Sequence, residues 1–277
     1  MTDKYAVIGN PVEHSLSPEI HRAFARATGQ DISYDRLSAP LDGFGAAVRR
    51  FFKEGEGGRG LNVTLPFKRQ AWDIVDSRPG YALDAEAVNT IKLVRDKLEG
   101  HNTDGIGLVT DLEQNLGFPI HGKRVLLMGA GGATYGVMHP LLAARPDLLV
   151  VANRTLDKAM SLVSHFRNLG HFAPHGLSAK PYAQLAGTRF ELVVNATSAG
   201  LTNEMPPLPE GVFAPGALAY DMVYGKSTPF LAFAAAQGAR TADGIGMLVE
   251  QAAESFFVWR GVRPATQPVI DSLRRKG

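Results

Sequence analysis

The sequence of 277 residues contains no cysteine. Disulfide bonds, thiolate nucleophiles and cysteine-bound zinc or iron–sulfur sites are therefore excluded. Histidine does not suggest a metal site either, because the eight histidines are scattered along the chain. The closest pair, His171 and His175, has no supporting glutamate or third ligand. We therefore expect no bound metal.

Long apolar segments and an excess of one charge are also lacking. The longest apolar run, residues 230–236, is far shorter than the roughly 18 to 20 residues of a membrane-spanning helix. The first ten residues lack a secretory or transit pattern, so we expect a cytoplasmic protein. Lys plus Arg number 29 and Asp plus Glu 27, which leaves a net charge of +2 and no basic footprint for nucleic acid or membranes. We expect small-molecule partners and a monomer or homodimer.

Short β-branched runs alternate with amphipathic stretches, a pattern typical of α/β proteins. A turn-rich segment at residues 100–105 marks the expected passage into a second domain, near Asn102. Before it, the pattern predicts strands at residues 5–8, 32–37, 61–63 and 88–93, and helices at residues 18–27, 44–53 and 66–75.

The second half begins with a buried-strand pattern at residues 124–128, followed by a glycine cluster and a helix at residues 133–144. The tail after Gly238 is purely helical, so we expect it to return to the first domain. That domain would comprise residues 1–103 and 239–277, and the second domain residues 104–238. The remaining predicted elements are a helix at 106–116, strands at 148–152, 192–195 and 218–221, and helices at 158–166 and 229–237. In the tail we expect a long helix that follows Gly246 and ends near Arg260, and a terminal helix that begins near Thr266.

The glycine cluster is suited to an anionic cofactor. Gly129 and Gly131 permit a tight turn and a close approach to a pyrophosphate at the N-terminus of the next helix. Thr134 occupies the place of the third glycine of the strict dinucleotide motif. The loop alone is weak evidence, since glycine-rich turns between strand and helix also serve tight packing.

The end of the next predicted strand distinguishes the two nicotinamide cofactors. NAD-binding units carry an acidic residue there that bonds the ribose 2′-hydroxyl, whereas this chain has Asn153, Arg154 and Thr155, with Lys158 one turn later. A guanidinium can bind a 2′-phosphate with two parallel hydrogen bonds. We therefore infer NADP(H). Alternatively, Thr155 caps a helix, and Arg154 and Lys158 are solvated charges.

Paired hydroxyls occur before the first predicted helix. Ser17 precedes Pro18, and this order favours Ser17 as the helix N-cap. Ser15 has no such structural explanation. Two hydroxyls beside the free amides of a helix start form a cluster of donors suited to a carboxylate.

Lys68 falls in the first turn of a predicted helix, where the helix dipole disfavours a second positive charge. A lone lysine is most simply a solvated surface group. Asn62 and Thr64, however, place it at the carboxyl end of a strand, where open α/β sheets bind ligands. Delivery of hydride to a carbonyl requires a proton donor, and a lysine in this position can act as one.

Three further polar residues follow strands or open helices. Asn89 follows a strand-like run, Asp104 precedes a helix, and Gln251 lies on a helix that begins in a glycine turn. Asp104 could simply cap its helix, and Gln251 could be an ordinary residue of a helix surface.

Nine ordered motifs along the chain carry a family resemblance. They resemble those of the shikimate dehydrogenases, NADP-dependent enzymes that reduce 3-dehydroshikimate in the aromatic amino-acid pathway. The motifs are GNPVEHSLSP at 9–18, NVTLPFK at 62–68, AVNT at 87–90, NTDG at 102–105, GAGGA at 129–133, NRT at 153–155, NATS at 195–198, YDMVY at 220–224 and GIGMLVEQ at 244–251.

The resemblance implies a substrate-binding α/β domain completed by the C-terminal helices, and a Rossmann-type, doubly wound NADP-binding domain. It implies that Lys68 is the acid–base residue, helped by Asp104. The substrate carboxylate would be held by Ser15 and Ser17, with Tyr224 nearby, and its ring and hydroxyls by Asn62, Thr64, Asn89, Asp104 and Gln251. The cofactor would contact Gly129, Ala130, Gly131, Gly132, Ala133, Asn153, Arg154, Thr155, Lys158, Thr197, Met222, Gly244 and Met247.

Two departures from the family pattern and two rival functions accompany this interpretation. Glu86 stands where the family usually has glycine, and Pro79 and Gly80 interrupt a helix where an acidic residue near the cofactor is common. One rival is a quinate/shikimate dehydrogenase of the same fold, with NADP or NAD as its cofactor. The absence of an acidic residue at Asn153 and Arg154 disfavours the NAD version and leaves quinate open as a substrate. The other is a catalytically silent NADP-binding regulator, which would need neither Lys68 nor Asp104.

Overall fold

Two β-sheets flanked by helices make up the computed structural model, which describes residues 2–53, 57–170, 176–197, 199 and 204–276. The first sheet contains β1 (Asp3–Gly9), β2 (Ile32–Ser38), β3 (Gly58–Val63), β4 (Thr90–Val94) and β5 (Lys97–His101). The second contains β6 (Arg124–Met128), β7 (Leu148–Ala152), β8 (Leu177–Lys180), β9 (Phe190–Asn195), β10 (Phe213–Asp221) and β11 (Arg240–Ala242). The helices are α1 (Ser17–Thr28), α2 (Phe44–Lys53), α3 (Lys68–Ile74), α4 (Tyr81–Ala85), α5 (Asp104–Thr110), α6 (Gly132–Ala143), α7 (Leu156–Asn168), α8 (Pro229–Ala236), α9 (Ile245–Arg260) and α10 (Gln267–Arg274).

The first sheet has the order β2-β1-β3-β4-β5, with β1 parallel to β2 and β3, and β4 antiparallel to its neighbours. The amphipathic helix α2 buries Phe44, Val48 and Phe51 against this sheet. Because β1 and β3 run in the same direction, the segments that follow them meet at one edge of the sheet. Ser15 follows β1 at this edge, and Thr64 follows β3.

The second sheet is parallel throughout, in the order β11-β10-β9-β6-β7-β8. Its strands are buried on both faces, which explains their nearly continuous apolar runs. Helices α6 and α7 cover one face and α8 the other. The chain order reverses between β6 and β9, the point where doubly wound sheets bind ligands. The predicted α/β fold class, with a doubly wound second sheet, is confirmed.

The helical tail packs against the first helix of the chain. In α9 and α10, Val249, Phe256 and Ile270 are buried in one apolar cluster with Ile20 and Phe24 of α1. Trp259 of α9 donates a hydrogen bond to the backbone carbonyl of Ile91 in β4, at 3.0 Å. The tail is therefore attached to the first sheet by both apolar and polar contacts.

The chain crosses between the sheets in α5 and returns in α9, and these two helices lie side by side. Glycines permit their close approach. A Cβ added at Gly107 would lie 2.7 Å from the Cβ of Gln251, and one at Gly246 would lie 1.9 Å from Oδ1 of Asp111. Gly107 of α5 therefore packs on α9, and Gly246 of α9 packs on the side chain of Asp111 just after α5, at positions where a further side chain does not fit.

Several predicted element boundaries differ from the structure. The bounds predicted for α2, β6 and β7 are confirmed, whereas β5, α4, β8 and β11 were not predicted. The segment predicted as a turn at residues 100–105 includes the end of β5. Gly100 lies there because a Cβ would clash with side chains of Val88 and Val75. The helix predicted at residues 106–116 is divided into α5 and a π-helical turn, Asp111–Asn115.

Candidate active site

A cavity of about 210 Å³ lies where the first sheet meets the start of α9. All eight residues predicted to bind substrate line it, together with Lys68 and three of the residues predicted to bind cofactor. Val7, Val63 and Leu248 line it as well and were not predicted, since apolar residues carry no motif. The predicted residues are Ser15, Ser17, Asn62, Thr64, Lys68, Asn89, Asp104, Met222, Tyr224, Gly244, Met247 and Gln251.

Lys68 and Asp104 form an ion pair in this cavity, with Nζ 2.6 Å from Oδ2. Lys68 is the first residue of α3 and Asp104 the first of α5. The carboxylate is favoured by the positive end of the α5 dipole and compensates the unfavourable position of the lysine on α3. The lysine side chain is 22% exposed and that of Asp104 only 9%. The carboxylate thus fixes an ammonium group that remains accessible from the cavity.

The side-chain amide of Asn89 orients this ion pair. Its Nδ2 donates to the other carboxylate oxygen of Asp104 at 2.8 Å, and its Oδ1 accepts from the backbone N–H of Thr103 at 2.9 Å. The alternative in which Asp104 caps its helix is wrong, because its carboxylate bonds the side chains of Lys68 and Asn89 and makes no capping bond. Thr103 belongs to a predicted motif, but its role was not foreseen.

Asn62 is the centre of a buried hydrogen-bonded cluster. Its Oδ1 accepts from the hydroxyl of Tyr34 at 2.7 Å, and its Nδ2 donates to Oγ of Ser255 at 3.0 Å and to Oγ1 of Thr90 at 3.1 Å. Burial raises the pKa of Tyr34 well above its ordinary value, so its phenol remains a donor. The amide of Asn62 is therefore largely engaged within the protein, although it borders the cavity.

Ser15 and Ser17 also line the cavity, with their hydroxyl oxygens 3.1 Å apart. The predicted N-cap role of Ser17 is wrong: α1 begins at Ser17 itself and Leu16 is the capping residue, without a side-chain cap. The local hydrogen bond comes from Ser15, whose Oγ accepts from the backbone N–H of Ser17 at 3.3 Å. Both hydroxyls are thus held beside the N-terminus of α1.

Gln251 and Tyr224 complete the lining. Gln251 Oε1 lies 3.5 Å from both Asn89 Nδ2 and Thr103 Oγ1, so the residue faces the polar cluster and is not a plain helix-surface glutamine. Its Nε2 donates to the carbonyl of Leu248 at 2.8 Å. Burial raises the pKa of Tyr224, which keeps its hydroxyl protonated.

The glycine loop connects β6 to α6 at the switch point of the second sheet. Gly129 has a φ of +106°, in the left-handed region, and its missing Cβ would lie 3.1 Å from the carbonyl oxygen of Ala196. Gly131 is the N-cap of α6 and Gly132 its first residue, and a Cβ at either would meet no atom within 4 Å. Ala130 and Ala133 keep the loop small. This open helix N-terminus fits a pyrophosphate.

The predicted 2′-phosphate site lies outside the cavity, at the carboxyl end of β7. Arg154 and Lys158 are exposed there, and Nδ2 of Asn153 donates to the carbonyl of Thr155 at 2.9 Å. Thr155 occupies the N-cap position of α7, but its side chain makes no capping bond, so the capping alternative is only half right. The exposed cations fit the phosphate of NADP.

Thr197, Met222, Gly244 and Met247 connect this loop with the cavity. Thr197 follows β9, and its Oγ1 donates to Oδ1 of Asn195 at 2.7 Å. Its methyl group would be 3.3 Å from a Cβ at Gly129, so it borders the glycine loop. Gly244 approaches the backbone of Met222 so closely that a Cβ would lie 2.4 Å from the carbonyl oxygen. Ser198, the last residue of this motif, lies outside the described residues.

A buried pair that the sequence did not predict supports the start of α9. The Tyr220 hydroxyl donates to Oδ2 of Asp111 at 2.7 Å and accepts from the backbone N–H of Met247 at 3.3 Å. Burial raises the pKa of Asp111. Tyr220 lies in a predicted motif, but nothing in the sequence connects it with Asp111. The pair fixes Met247 relative to β10.

Within the described residues, no group of three metal-ligating side chains could hold an ion, and no helix is long and apolar enough to span a membrane. The histidine pair His171 and His175 lies outside the described residues.

Three family models match the chain. They describe a shikimate dehydrogenase substrate binding domain, over residues 7–91, a shikimate / quinate 5-dehydrogenase, over residues 111–200, and a shikimate 5'-dehydrogenase C-terminal domain, over residues 244–274.

Relatives and solved structures resemble the chain over its length. A shikimate dehydrogenase (NADP(+)) from Alkalilimnicola ehrlichii is 55% identical over 99% of both chains. The crystal structure of an Ael1 enzyme from Pseudomonas putida is 48% identical, covers 98% of both chains and has a TM-score of 0.92. That of shikimate 5-dehydrogenase from Thermus thermophilus in complex with NADP(H) and shikimate is 33% identical, covers 99% of both chains and has a TM-score of 0.87. The chain therefore belongs to the shikimate dehydrogenase family.

Proposed function

We propose that this protein is a shikimate dehydrogenase that interconverts 3-dehydroshikimate and shikimate with NADP(H). The observation that carries the proposal is the Lys68–Asp104 ion pair, which lies in a cavity that is also lined by Ser15 and Ser17. A small hydroxylated ring with a carboxylate matches the chemistry of both pairs of side chains. The named relatives, similar over nearly their full length, support the same reaction.

The substrate roles follow from the chemistry of the lining. Ser15, Ser17 and Tyr224 would donate hydrogen bonds to the carboxylate, aided by the positive end of the α1 dipole. Thr64, Asn89, Asp104 and Gln251 would bind the ring hydroxyls. Asn62 would contribute mainly by holding the floor of the cavity, because its amide is already bonded to Tyr34, Thr90 and Ser255.

Lys68 would carry out the proton transfer. In the reductive direction its Nζ donates a proton to the ketone oxygen as that oxygen becomes a hydroxyl, and in the oxidative direction it accepts the proton. Asp104 keeps the ammonium group oriented, and the hydrogen bond from Asn89 keeps Asp104 oriented. NADPH, when bound, supplies the hydride.

The open end of α6 and the exposed cations after β7 would hold the cofactor. Arg154 and Lys158 would pair with the 2′-phosphate, and the backbone amides of the glycine loop would bind the pyrophosphate. The remaining contacts would come from Gly129, Ala130, Gly131, Gly132, Ala133, Asn153, Thr155, Thr197, Met222, Gly244 and Met247.

We also infer the domain division from the packing. Residues 1–103 and 239–277 would form the substrate domain, because α9 and α10 bury their apolar faces against α1. Residues 104–238 would form the NADP domain around the second sheet. The cytoplasmic location and the monomeric or homodimeric state stay predictions of the sequence.

The direct test is the absorbance of reduced nicotinamide with shikimate or quinate, each combined with NADP⁺ or NAD⁺. We expect the highest kcat/KM with shikimate and NADP⁺. Preference for quinate with NAD⁺ would favour the quinate/shikimate enzyme, and the absence of turnover with all four pairs would favour the silent regulator.

A further inference from the structure

The charges that line the cavity leave the bound carboxylate without a cationic partner. Among the described residues that line it, the charged side chains are Lys68 and Asp104, and these neutralise each other at 2.6 Å. The lining also offers the hydroxyls of Ser15 and Ser17, beside the N-terminus of α1. An anionic substrate entering a partly desolvated cavity of this kind is stabilised by positive charge placed nearby.

Arg36 supplies positive charge beside Ser15 from outside the lining. It lies on β2, and its guanidinium donates two hydrogen bonds to the backbone carbonyl of Ser15, from Nη2 at 2.6 Å and from Nε at 3.1 Å. The backbone N–H of Ser15 is bonded in turn to the carbonyl of Val12 at 3.1 Å. Both backbone groups of Ser15 are therefore fixed, and its hydroxyl is aimed by a rigid peptide.

The contact of Arg36 differs from that of its neighbour Arg22. Arg22 bonds the carbonyl of Tyr34 at 2.9 Å and pairs with Asp35 at 3.5 Å, so a carboxylate offsets its charge. Within the described residues, Arg36 has no such carboxylate partner. Its planar fork binds one carbonyl with two donors, a geometry that lysine cannot reproduce.

We propose that Arg36 is a positioning and specificity-determining residue for the carboxylate of the substrate. It holds the turn that presents Ser15 and Ser17, and its uncompensated charge favours anionic over neutral ligands beside these two hydroxyls. The inference rests on the proposed function, because it assigns the carboxylate to Ser15 and Ser17.

The test compares Arg36→Met and Arg36→Lys with the control Arg22→Met. Shikimate and its carboxamide, which has the same ring but no negative charge, serve as paired substrates, and kcat, KM and thermal stability are measured for each variant. For Arg36→Met we expect a five- to tenfold rise in KM for shikimate, with kcat and the KM for NADP⁺ within about twofold of wild type. The preference for shikimate over the carboxamide should fall by a similar factor.

Two further readouts separate charge from simple support of the turn. Addition of about 0.5 M KCl should reduce the difference in the KM for shikimate between Arg36→Met and wild type, because exposed charges are screened at that ionic strength. Arg36→Lys should recover part of the shikimate preference, since it keeps the charge, while Arg22→Met should resemble wild type.

Distinct results contradict the inference and the proposed function. Wild-type protein that turns over no shikimate contradicts the proposed function. Active wild type with an unchanged KM in Arg36→Met overturns the role of Arg36. An equal rise in KM for shikimate and for the carboxamide also overturns the role of Arg36, because the residue would then support the turn without distinguishing charged from neutral ligands.

Discussion

The proposed substrate side and the proposed cofactor side of the site hold their polar groups in different ways. Asn62, Asn89 and Asp104 are buried, and each is bonded to other side chains from distant parts of the chain. Arg154 and Lys158 are exposed after β7, and within the described residues their side chains make no hydrogen bond or ion pair. One side is thus assembled before a ligand arrives, whereas the other presents free cations.

This difference separates precision from selectivity. Proton transfer depends on a lysine placed within a few tenths of an ångström, and interlocked side chains provide that placement. Selection between NADP and NAD depends on one phosphate, which an exposed cation can recognise without a rigid surround. Substitutions on the substrate side should therefore affect stability and turnover together, while those on the cofactor side should affect cofactor affinity alone.

The largest effect on turnover is expected for Lys68→Met, which removes the proposed acid–base group of the substrate side. The loss of a positioned proton donor should lower kcat by about 10² to 10⁴. Lys123→Met is a matched control, because Lys123 also pairs with a carboxylate, Glu191, at 2.8 Å but lies away from the cavity. Steady-state kinetics of both variants test this, and a loss below about tenfold in Lys68→Met would exclude the acid–base role.

Arg154→Ala tests the cofactor side. A charge-assisted hydrogen bond contributes about 1.5 to 3 kcal/mol, so the KM for NADPH should rise by about 10- to 100-fold. The KM for NADH should change by less than about threefold, and the melting temperature should stay constant. Arg124→Ala, at the exposed start of β6, serves as the control. Equal losses for both cofactors would show that Arg154 does not bind the 2′-phosphate.

The same substitution on both sides sharpens the comparison. Asn89→Ala leaves the backbone N–H of Thr103 without its acceptor and should reduce the free energy of unfolding by about 1 to 3 kcal/mol. Asn153→Ala removes a hydrogen bond of a partly exposed side chain and should change the free energy of unfolding by less than about 0.5 kcal/mol. Urea denaturation of the two variants gives both values. Similar losses would contradict the distinction between the sides.

The pH dependence of stability probes the buried floor of the substrate side. His21 is fully buried and stacks on Tyr34 with ring centroids 4.3 Å apart, and burial lowers its pKa from 6.5 to about 3. Its contribution to stability is present above pH 6.5 and is lost as pH falls towards 3, because only the unfolded chain takes up the proton there.

The slope from this one group is at most about 1.4 kcal/mol per pH unit. His21→Phe should therefore have a flatter curve of unfolding free energy than wild type between about pH 6.5 and about pH 4.5. His121→Asn, at an exposed histidine, should keep the wild-type slope. If His21→Phe also keeps that slope, the histidine is not held neutral in the folded protein.

The sequence predicted best those elements whose local pattern matches their surroundings. Strands β6 and β7 are buried on both faces, and their unbroken apolar runs reveal their bounds. Strand β5 was missed because Gly100 was interpreted as a turn residue. The structure shows instead that a glycine is required there because the side chains of Val75 and Val88 leave no room for a Cβ. The position of Ser17 was misjudged for a similar reason, since the capping pattern fits two adjacent starting points.

The candidate site divides in the same way. Lys68, Asp104 and Asn89 stand in motifs and could be identified from the sequence, and the structure brings them together. Tyr34 and Ser255 could not be predicted, because their contacts with Asn62 join segments 28 and 193 residues apart. Such contacts are decided by tertiary packing and leave no local signal in the chain.

The glycine contacts between α5 and α9 have a mechanical consequence. The covalent path between the sheets runs through these adjacent helices, so any rotation of one sheet against the other would turn about an axis close to their contact. Asp104 and Gln251, on these two helices, would be displaced little. Arg154, beyond β7 near the far edge of the second sheet, would travel along a much wider arc. The spacing of Lys68 and Asp104 would therefore be less sensitive to such a rotation than the position of Arg154.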